Sequence, residues 1–352
     1  MKKNRVDVIT MGCSKNLVDS EHLMRQLQEC GYDVVHDSDE PCGEIAVINT
    51  CGFIGDAKQE SINMILEFCQ RKEQGDLNKL YVMGCLSERY LDELRQEITQ
   101  VDKFYGKFNW SELLNDLKQQ YRQEIANERV LTTPSHYAYI KISEGCNRRC
   151  AYCAIPAIRG KFRSRKMEDI VKEAKDLERL GVKELTLVAQ DTTRYGLDIY
   201  GELKLPELLR ELNKIKGIEW IRLLYCYPDK ITDELVAEIR DNDRVLKYID
   251  LPIQHINDDV LSRMNRHGGS AVIKDTIKRL RDAVPGIVIR TTVIVGFPGE
   301  TEEEFGELVD FVKETKFERL GAFTYSREED TPAFDFDGQI DEDIKEERLD
   351  TI

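Results

Sequence analysis

The sequence predicts an α/β protein in two parts: an N-terminal doubly wound parallel-sheet domain, then a partial (β/α) barrel of six strands. Three observations predict it. Short apolar runs alternate with helical patterns along the chain, as in sheets built from successive β–α units. In the first part, three of these runs each end in a cysteine with a glycine beside it. From Tyr137 onward, strand and helix patterns alternate about six times, and a tight cysteine motif follows the first of those strands.

Taken in order, Val6–Met11 is a strand that ends in Gly12-Cys13, Glu44–Thr50 ends in Cys51-Gly52, and Lys79–Met83 ends in Gly84-Cys85. Helical patterns fill the gaps. Leu17–Cys30 places apolar residues at Leu17, Leu23, Met24 and Leu27 and meets a stop signal at Gly31. Ser61–Gln70 and Trp110–Tyr121 repeat the pattern. The polar stretch Arg122–Arg129 then leads to Thr132-Thr-Pro-Ser135, where the boundary is expected. The expected domains are 1–131 and 132–340, with a charged segment over 341–352 that begins a linker. In the second domain, strands are expected at 137–143, 184–189, 219–226, 247–253, 286–295 and 317–325. The helices expected there are 167–180, 204–215, 232–241, 270–283 and 301–315.

Composition narrows the function. Of 352 residues, 41% are hydrophobic and 33% charged, which suits a soluble protein. No apolar run approaches the ~20 residues of a membrane span, and the N-terminus lacks a signal peptide's apolar stretch. The expected location is therefore cytoplasmic, with ten cysteines kept as thiols or metal ligands. The net charge of −15 divides into −7 up to Pro134 and −8 after it. Neither part has the basic surplus of a nucleic-acid binder, and an acidic body suits a basic partner.

The motif Cys146-Asn-Arg-Arg-Cys150-Ala-Tyr-Cys153 carries the chemistry. Thiolates spaced CxxxCxxC on an irregular loop converge on one centre, and soft ligands of this kind suit iron–sulfur clusters or zinc. A closed structural zinc site takes four ligands, and no fourth Cys or His follows Cys153 closely. Three thiolates leave one iron of a four-iron cluster open. Cys13, Cys51 and Cys85, at the carboxyl ends of neighbouring parallel strands, form a second candidate set, because open α/β sheets bind ligands along that edge. The alternative is that each is a small buried residue, the usual fate of a free cysteine. Cys30, Cys42, Cys69 and Cys226 lack such a setting.

Further marked positions fall at the barrel rim. Gln190-Asp191-Thr192-Thr193 follows the second strand, Tyr225–Pro228 the third, Gln254-His255 the fourth, and Gly296-Phe-Pro-Gly-Glu-Thr301 the fifth. Backbone amides of the last loop are expected to reach a nucleoside or carboxylate. His255 reads better as a hydrogen-bonded rim or core histidine than as a catalytic one. Arg159–Lys166 is the one basic cluster, suited either to a carboxylate ligand or to a solvated face.

CxxxCxYC after a strand resembles the signature of the radical S-adenosylmethionine (SAM) superfamily. An N-terminal α/β domain with three separate cysteines further resembles its methylthiotransferases, which insert –SCH3 at an unreactive C–H bond. Gly12-Cys-Ser-Lys-Asn-Leu-Val-Asp-Ser-Glu21, Asn49-Thr-Cys-Gly-Phe-Ile54 and Tyr325-Ser-Arg-Glu-Glu-Asp-Thr-Pro-Ala333 are similar to the branch that modifies a ribosomal protein. The branch acting on tRNA usually reads GCQMN at the first motif and YSPRPGT at the last. The resemblance implies a radical SAM barrel and two 4Fe-4S clusters, on Cys13, Cys51 and Cys85 and on Cys146, Cys150 and Cys153. It implies SAM both as methyl donor and as radical source, with Tyr152, Gln190 and Gly296 as candidate cofactor contacts. The implied substrate is an aspartate β-carbon of a basic small-subunit ribosomal protein, and the implied electron donor is flavodoxin-like or ferredoxin-like. A tRNA substrate is the competing expectation, disfavoured by motif and charge. A cluster or zinc protein that only senses redox state leaves the glycine-rich rim unexplained. The family usually continues into a small β-barrel (TRAM) domain, and here the chain stops in the charged segment Glu342–Ile352.

Overall fold

The apolar runs of the first part form one sheet. Its strands are β1 (Lys2–Thr10), β2 (Asp33–His36), β3 (Gly43–Thr50), β4 (Lys79–Gly84) and β5 (Lys103–Phe104). All neighbours pair in parallel, in the order β2-β1-β3-β4-β5. Nearly continuous apolar strands of this kind need cover on both faces. Helix Ser14–Glu29 covers one face, where Leu23, Met24 and Leu27 pack with Val6, Val8, Ile45 and Val47. Helix Gly55–Glu73 covers the other, where Ile65 and Phe68 pack with Ile9, Ile48 and Val82. Chain order reverses between β1 and β3, which makes the carboxyl ends of those strands the switch point of the sheet.

The computed structural model describes residues 1–107 and 109–352. Its contacts separate two units, Met1–Ser135 with Ala157–Arg159, and His136–Pro156 with Gly160–Ile352. Two strands of the first unit carry no clear signal in the sequence. β2 and β5 are sheet edges of four and two residues. The helix expected over Trp110–Tyr121 ends at Asp116, and Lys118 turns the chain with a φ of 60°.

The second unit begins with β6 (Tyr137–Lys141). A small antiparallel pair follows, β7 (Ser143–Glu144) with β8 (Arg163–Ser164), which closes the base of the cysteine loop. Then come β9 (Glu184–Val188), β10 (Trp220–Leu223), β11 (Val245–Asp250), β12 (Val288–Val295) and β13 (Arg319–Thr324). The six long strands form one parallel sheet, β13-β12-β11-β10-β9-β6, with no pairing among the described residues between its two end strands. Helices Met167–Arg179, Leu205–Asn213, Asp233–Asp241, Gly269–Ala283 and Glu302–Thr315 alternate with the strands close to their expected positions. The last of these starts at a capping box, with Thr301 and Glu304 each bonding the other's backbone N–H. The segment expected to begin a linker is helical over Glu342–Thr351, and it turns Lys345 and Arg348 inward although both are charged. Among the described residues, no helix is long and apolar enough to cross a membrane.

Candidate functional site

In the first unit, the three cysteines lie at the same edge of the sheet because each leaves its strand there, although among the described residues no three such side chains are already placed to hold a metal ion. Cys13 follows β1 and caps helix Ser14–Glu29, Cys51 follows β3, and Cys85 follows β4. The neighbouring glycines make this approach possible. A Cβ on Gly12, whose φ is +86°, would sit 2.7 Å from the Cβ and 2.8 Å from the Sγ of Cys51. A Cβ on Gly52 would sit 2.6 Å from the Cα of Leu86, the residue after Cys85. Cys13 acts electrostatically on Cys51, and both act on Cys85.

Asn16 is the hub of this edge. Its Nδ2 donates to the carbonyls of Met11 and Thr50, both at 3.0 Å, and its Oδ1 lies 3.6 Å from the Cys85 Sγ. Asn49 Nδ2 donates to the Asn16 carbonyl at 2.9 Å, which ties β3 to the start of the helix. Arg159, grouped with this unit, donates to the Asn16 Oδ1 and pairs with Asp19 at 3.3 Å, both charged side chains being almost wholly buried. Burial raises the Cys51 thiol and pushes the Cys85 thiol up to about 11. Burial would raise Cys13 as well, but Lys15, Arg159 and the amides of Asn16 and Lys15 outweigh it and hold that thiol below its ordinary value. Three sulfur donors beside a buried guanidinium fit an anionic, thiolate-bound iron–sulfur cluster.

In the second unit, Cys146, Cys150 and Cys153 lie on the loop that β7 and β8 close. The Cys146 N–H donates to the Gly160 carbonyl at 3.0 Å, and the Phe162 N–H to the Asn147 Oδ1 at 3.0 Å. Arg148, between the first two cysteines, is buried. Its Nε lies 2.7 Å from Asp191, and its two terminal nitrogens lie 3.2 and 2.7 Å from Asp229. Further along, the Ala151 N–H donates to the Met264 carbonyl at 2.9 Å, and Asn265 Nδ2 to the Arg149 carbonyl at 2.6 Å. Burial pushes the Cys153 thiol up to about 12 and raises Cys146, so without a metal these groups hold their protons. One cation beside them has no such balance. Arg266 has a shielded Nη1 without a hydrogen-bond partner and, among the described residues, no carboxylate in ion-pair range. An orphaned guanidinium nitrogen beside three thiols fits an anionic occupant, as a thiolate-bound cluster would be.

The other expected residues fall as follows. Tyr152 packs beside Ala151, Met264, Phe297 and Tyr325. Gln190, after β9, keeps a shielded Oε1 with no hydrogen-bond partner among the described residues. After β12, two of the amides expected to reach a nucleoside or carboxylate are engaged within the loop. The Gly296 N–H donates to the two oxygens of Glu300 at 3.2 and 3.1 Å, and the Phe297 N–H to the same carboxylate at 3.4 Å. A Cβ on Gly296 would also meet the Lys345 side chain at 2.4 Å. Arg348 completes the arrangement, at 2.9 Å from Glu300. His255 is fully buried, its Nδ1 accepting from the Asn257 N–H at 3.0 Å, and burial lowers its pKa to about 4. The basic cluster does not form one patch: Arg159 is buried against Asp19, whereas Arg165 pairs with Glu173 at 2.6 Å. Asn16, Asp19, Arg148 and Arg266 are not singled out by the motif reading, whereas Tyr227 lies in the marked stretch Tyr225–Pro228. Charged residues between or beside cysteines were the available signal.

Residues 140–312 match the model of the radical SAM superfamily, and residues 5–106 match that of the uncharacterized protein family UPF0004. Curated relatives named ribosomal protein uS12 methylthiotransferase RimO align along the whole chain. That of Phocaeicola vulgatus is 60% identical, over 100% of this chain and 82% of its own length. Those of Bacteroides fragilis and Cytophaga hutchinsonii are 58% and 49% identical, over 100% of this chain and 82% and 80% of their own lengths. Among solved structures, the radical SAM methyltransferase TsrM from Kitasatospora setae, with cobalamin and a [4Fe-4S] cluster bound, superposes with a TM-score of 0.68 at 15% identity. That match covers 94% of this chain and 77% of the other. The cobalamin-dependent radical enzyme OxsB gives a TM-score of 0.62 at 12% identity, covering 98% and 55%. At such identities these two show a shared fold.

Proposed function

The chain belongs to the RimO family of radical SAM methylthiotransferases, and from that premise we propose that it attaches a methylthio group to the β-carbon of an aspartate in ribosomal protein uS12. The observation that carries the reading is the pair of three-cysteine sets, one in each unit, each beside a buried, ion-paired arginine. We assign Cys13, Cys51 and Cys85, in domain 1–131, to an auxiliary 4Fe-4S cluster. Cys146, Cys150 and Cys153, in domain 132–340, are assigned to the SAM-binding 4Fe-4S cluster, and 341–352 to the start of the connection onward. When bound, such clusters supply the electron that cleaves SAM reductively and an open iron for the sulfur to be transferred.

The chain's own residues hold these centres in place. Arg148 fixes the loop between Cys146 and Cys150 through two carboxylates, a bidentate contact being the more rigid choice for a guanidinium. Gln190 offers its unused amide oxygen, and Tyr152 its ring, to the nucleoside of SAM. Gly296 acts by shape, since its N–H is already engaged. Shielding of the thiols from water suits a site that must keep a carbon radical from side reactions.

The acidic chain, at −15, favours a strongly basic ribosomal protein and disfavours tRNA. A flavodoxin-like or ferredoxin-like donor and a cytoplasmic setting complete the proposal. The test is a side-by-side incubation of reduced, reconstituted protein with uS12 and with isopentenyl-adenosine tRNA, read by mass. The expected result is one methylthio group on uS12. A methylthio group on the tRNA alone would overturn the substrate and leave the radical chemistry standing.

A further inference from the structure

We propose that Arg266, acting with Tyr227, is a positioning residue that sets the charge balance of the Cys146–Cys150–Cys153 centre and so favours its reduced state. The proposal rests on reading those cysteines as cluster ligands.

Two guanidiniums lie over the Tyr227 ring, that of Arg148 at 3.7 Å and that of Arg266 at 4.3 Å from its centroid. The hydroxyl of the same ring lies 3.7 Å from the Cys150 Sγ and would donate to that sulfur as a thiolate ligand. The two cations differ in what surrounds them. Asp191 and Asp229 more than neutralise Arg148. Arg266 faces no carboxylate among the described residues, its Nη2 donates to the Pro252 carbonyl, and its Nη1 has no partner. Of the two charges beside the cysteine loop, Arg266 is therefore the one left uncompensated.

Its placement is specific. Asn265, with a φ of 54°, turns the chain after helix Asp258–Arg263. That turn puts the Met264 carbonyl on the Ala151 N–H and the Asn265 amide on the Arg149 carbonyl, so residues 264–266 dock directly on the loop. An unpaired cation in a shielded site costs free energy unless an anion answers it. A cluster on three thiolates is anionic and becomes more so by one charge on reduction. Net charge and hydrogen bonds to sulfur are among the levers that set a cluster's potential.

The test uses the full chain with Cys13, Cys51 and Cys85 all replaced by Ala, so that one cluster remains, reconstituted anaerobically and titrated electrochemically with detection by electron paramagnetic resonance. Arg266→Gln is expected to keep iron and sulfide while lowering the ratio of reduced to oxidised cluster about tenfold at a fixed potential. Arg266→Lys should restore most of that ratio, and Tyr227→Phe should lower it less than Arg266→Gln. An iron-replete Arg266→Gln protein with the parent's titration curve would overturn the proposal. Where Arg266→Gln fails to hold iron, Arg266→Lys decides: a bound cluster near the parent's potential supports a role for charge, and iron loss there refutes it. A parent that shows no cluster signal at all would instead sink the ligand assignment on which the proposal rests.

Discussion

Replacing Arg159 by Gln tests whether the first cysteine set is built around a buried ion pair. The side chains of Arg159 and Asp19 are 2% and 3% exposed, and their nearest nitrogen and oxygen lie 3.3 Å apart. At that separation, with an effective dielectric of about 20, the pair's attraction is about 5 kcal/mol. Removing one partner of a buried pair costs about 3–5 kcal/mol, because the other charge stays without compensation. Two tryptophans make the effect readable by unit, Trp110 lying in the first and Trp220 in the second. Trp220 is 48% exposed, so a Trp220→Phe background leaves Trp110 as reporter at little structural cost. Urea unfolding of the metal-free protein, followed by Trp110 fluorescence, should show Arg159→Gln destabilised by about 3–5 kcal/mol. Adding Asp19→Asn should recover most of the loss, since two amides can share a neutral hydrogen bond. A single variant within about 1 kcal/mol of its parent, or a double variant no better than the single, refutes the reasoning.

Three further outcomes are expected. His255 titrates at about 4 when folded, against 6.5 for the ordinary side chain. Between those values the unfolded chain binds a proton that the folded chain does not, so stability falls as pH drops through that window, by about 3 kcal/mol in full. His255→Gln should flatten that slope in denaturant titrations run from pH 7 to pH 4, and an unchanged slope would place the dependence elsewhere. Cys150→Ala should abolish 5′-deoxyadenosine formation, whereas the triple Ala variant of Cys13, Cys51 and Cys85 should keep SAM cleavage with about half the iron; unchanged iron would count against the second set. Gly12→Ala places a Cβ 2.7 Å from Cys51 at a φ of +86°, so it should cost about 1–3 kcal/mol and lower iron loading by the first set, measured as iron per chain after reconstitution.

The first parallel sheet was legible because its central strands are buried on two faces and read as largely apolar runs, as at Ile45–Ile48, whereas a strand of the second such as Val288–Val295 alternates buried and partly buried residues. The edge strands were not, since Asp33–His36 and Lys103–Phe104 are short and only partly covered, which leaves composition free. Cysteine spacing was legible for a similar reason: few other roles suit three thiols at CxxxCxxC or a thiol at each of three strand ends. The polar residues that hold those thiols were not. Asn16 bonds Met11 and Thr50, 5 and 34 residues away, and Arg159 reaches Asn16 across 143, so their roles exist only once the strands are side by side. The loop after β12 misled in another way. A glycine-rich turn after a strand looks like an amide cradle, but Glu300, inside the same turn, takes the amides of Gly296 and Phe297 for itself.

Charge in this chain works on two scales that composition alone conflates. Sixty-six acidic residues against fifty-one basic ones give an acidic protein, and at distances beyond a Debye length only that surplus is felt, which favours encounter with a basic partner. Beside each cysteine set particular cations stand close to the thiols. Lys15 and Arg159 act on Cys13, and Arg266 stands beside Cys150 with, among the described residues, no carboxylate in ion-pair range. Shielded cations at these positions lower the cost of gathering several thiolates in one place, and a cluster that gains an electron needs that compensation more than one that does not. Neutralising the acidic surface would therefore weaken encounter with the substrate and leave the cysteine centres untouched. Neutralising Arg159 or Arg266 would do the reverse. The separation follows from dielectric screening, strong in water and weak in the interior, so the two demands on charge do not compete.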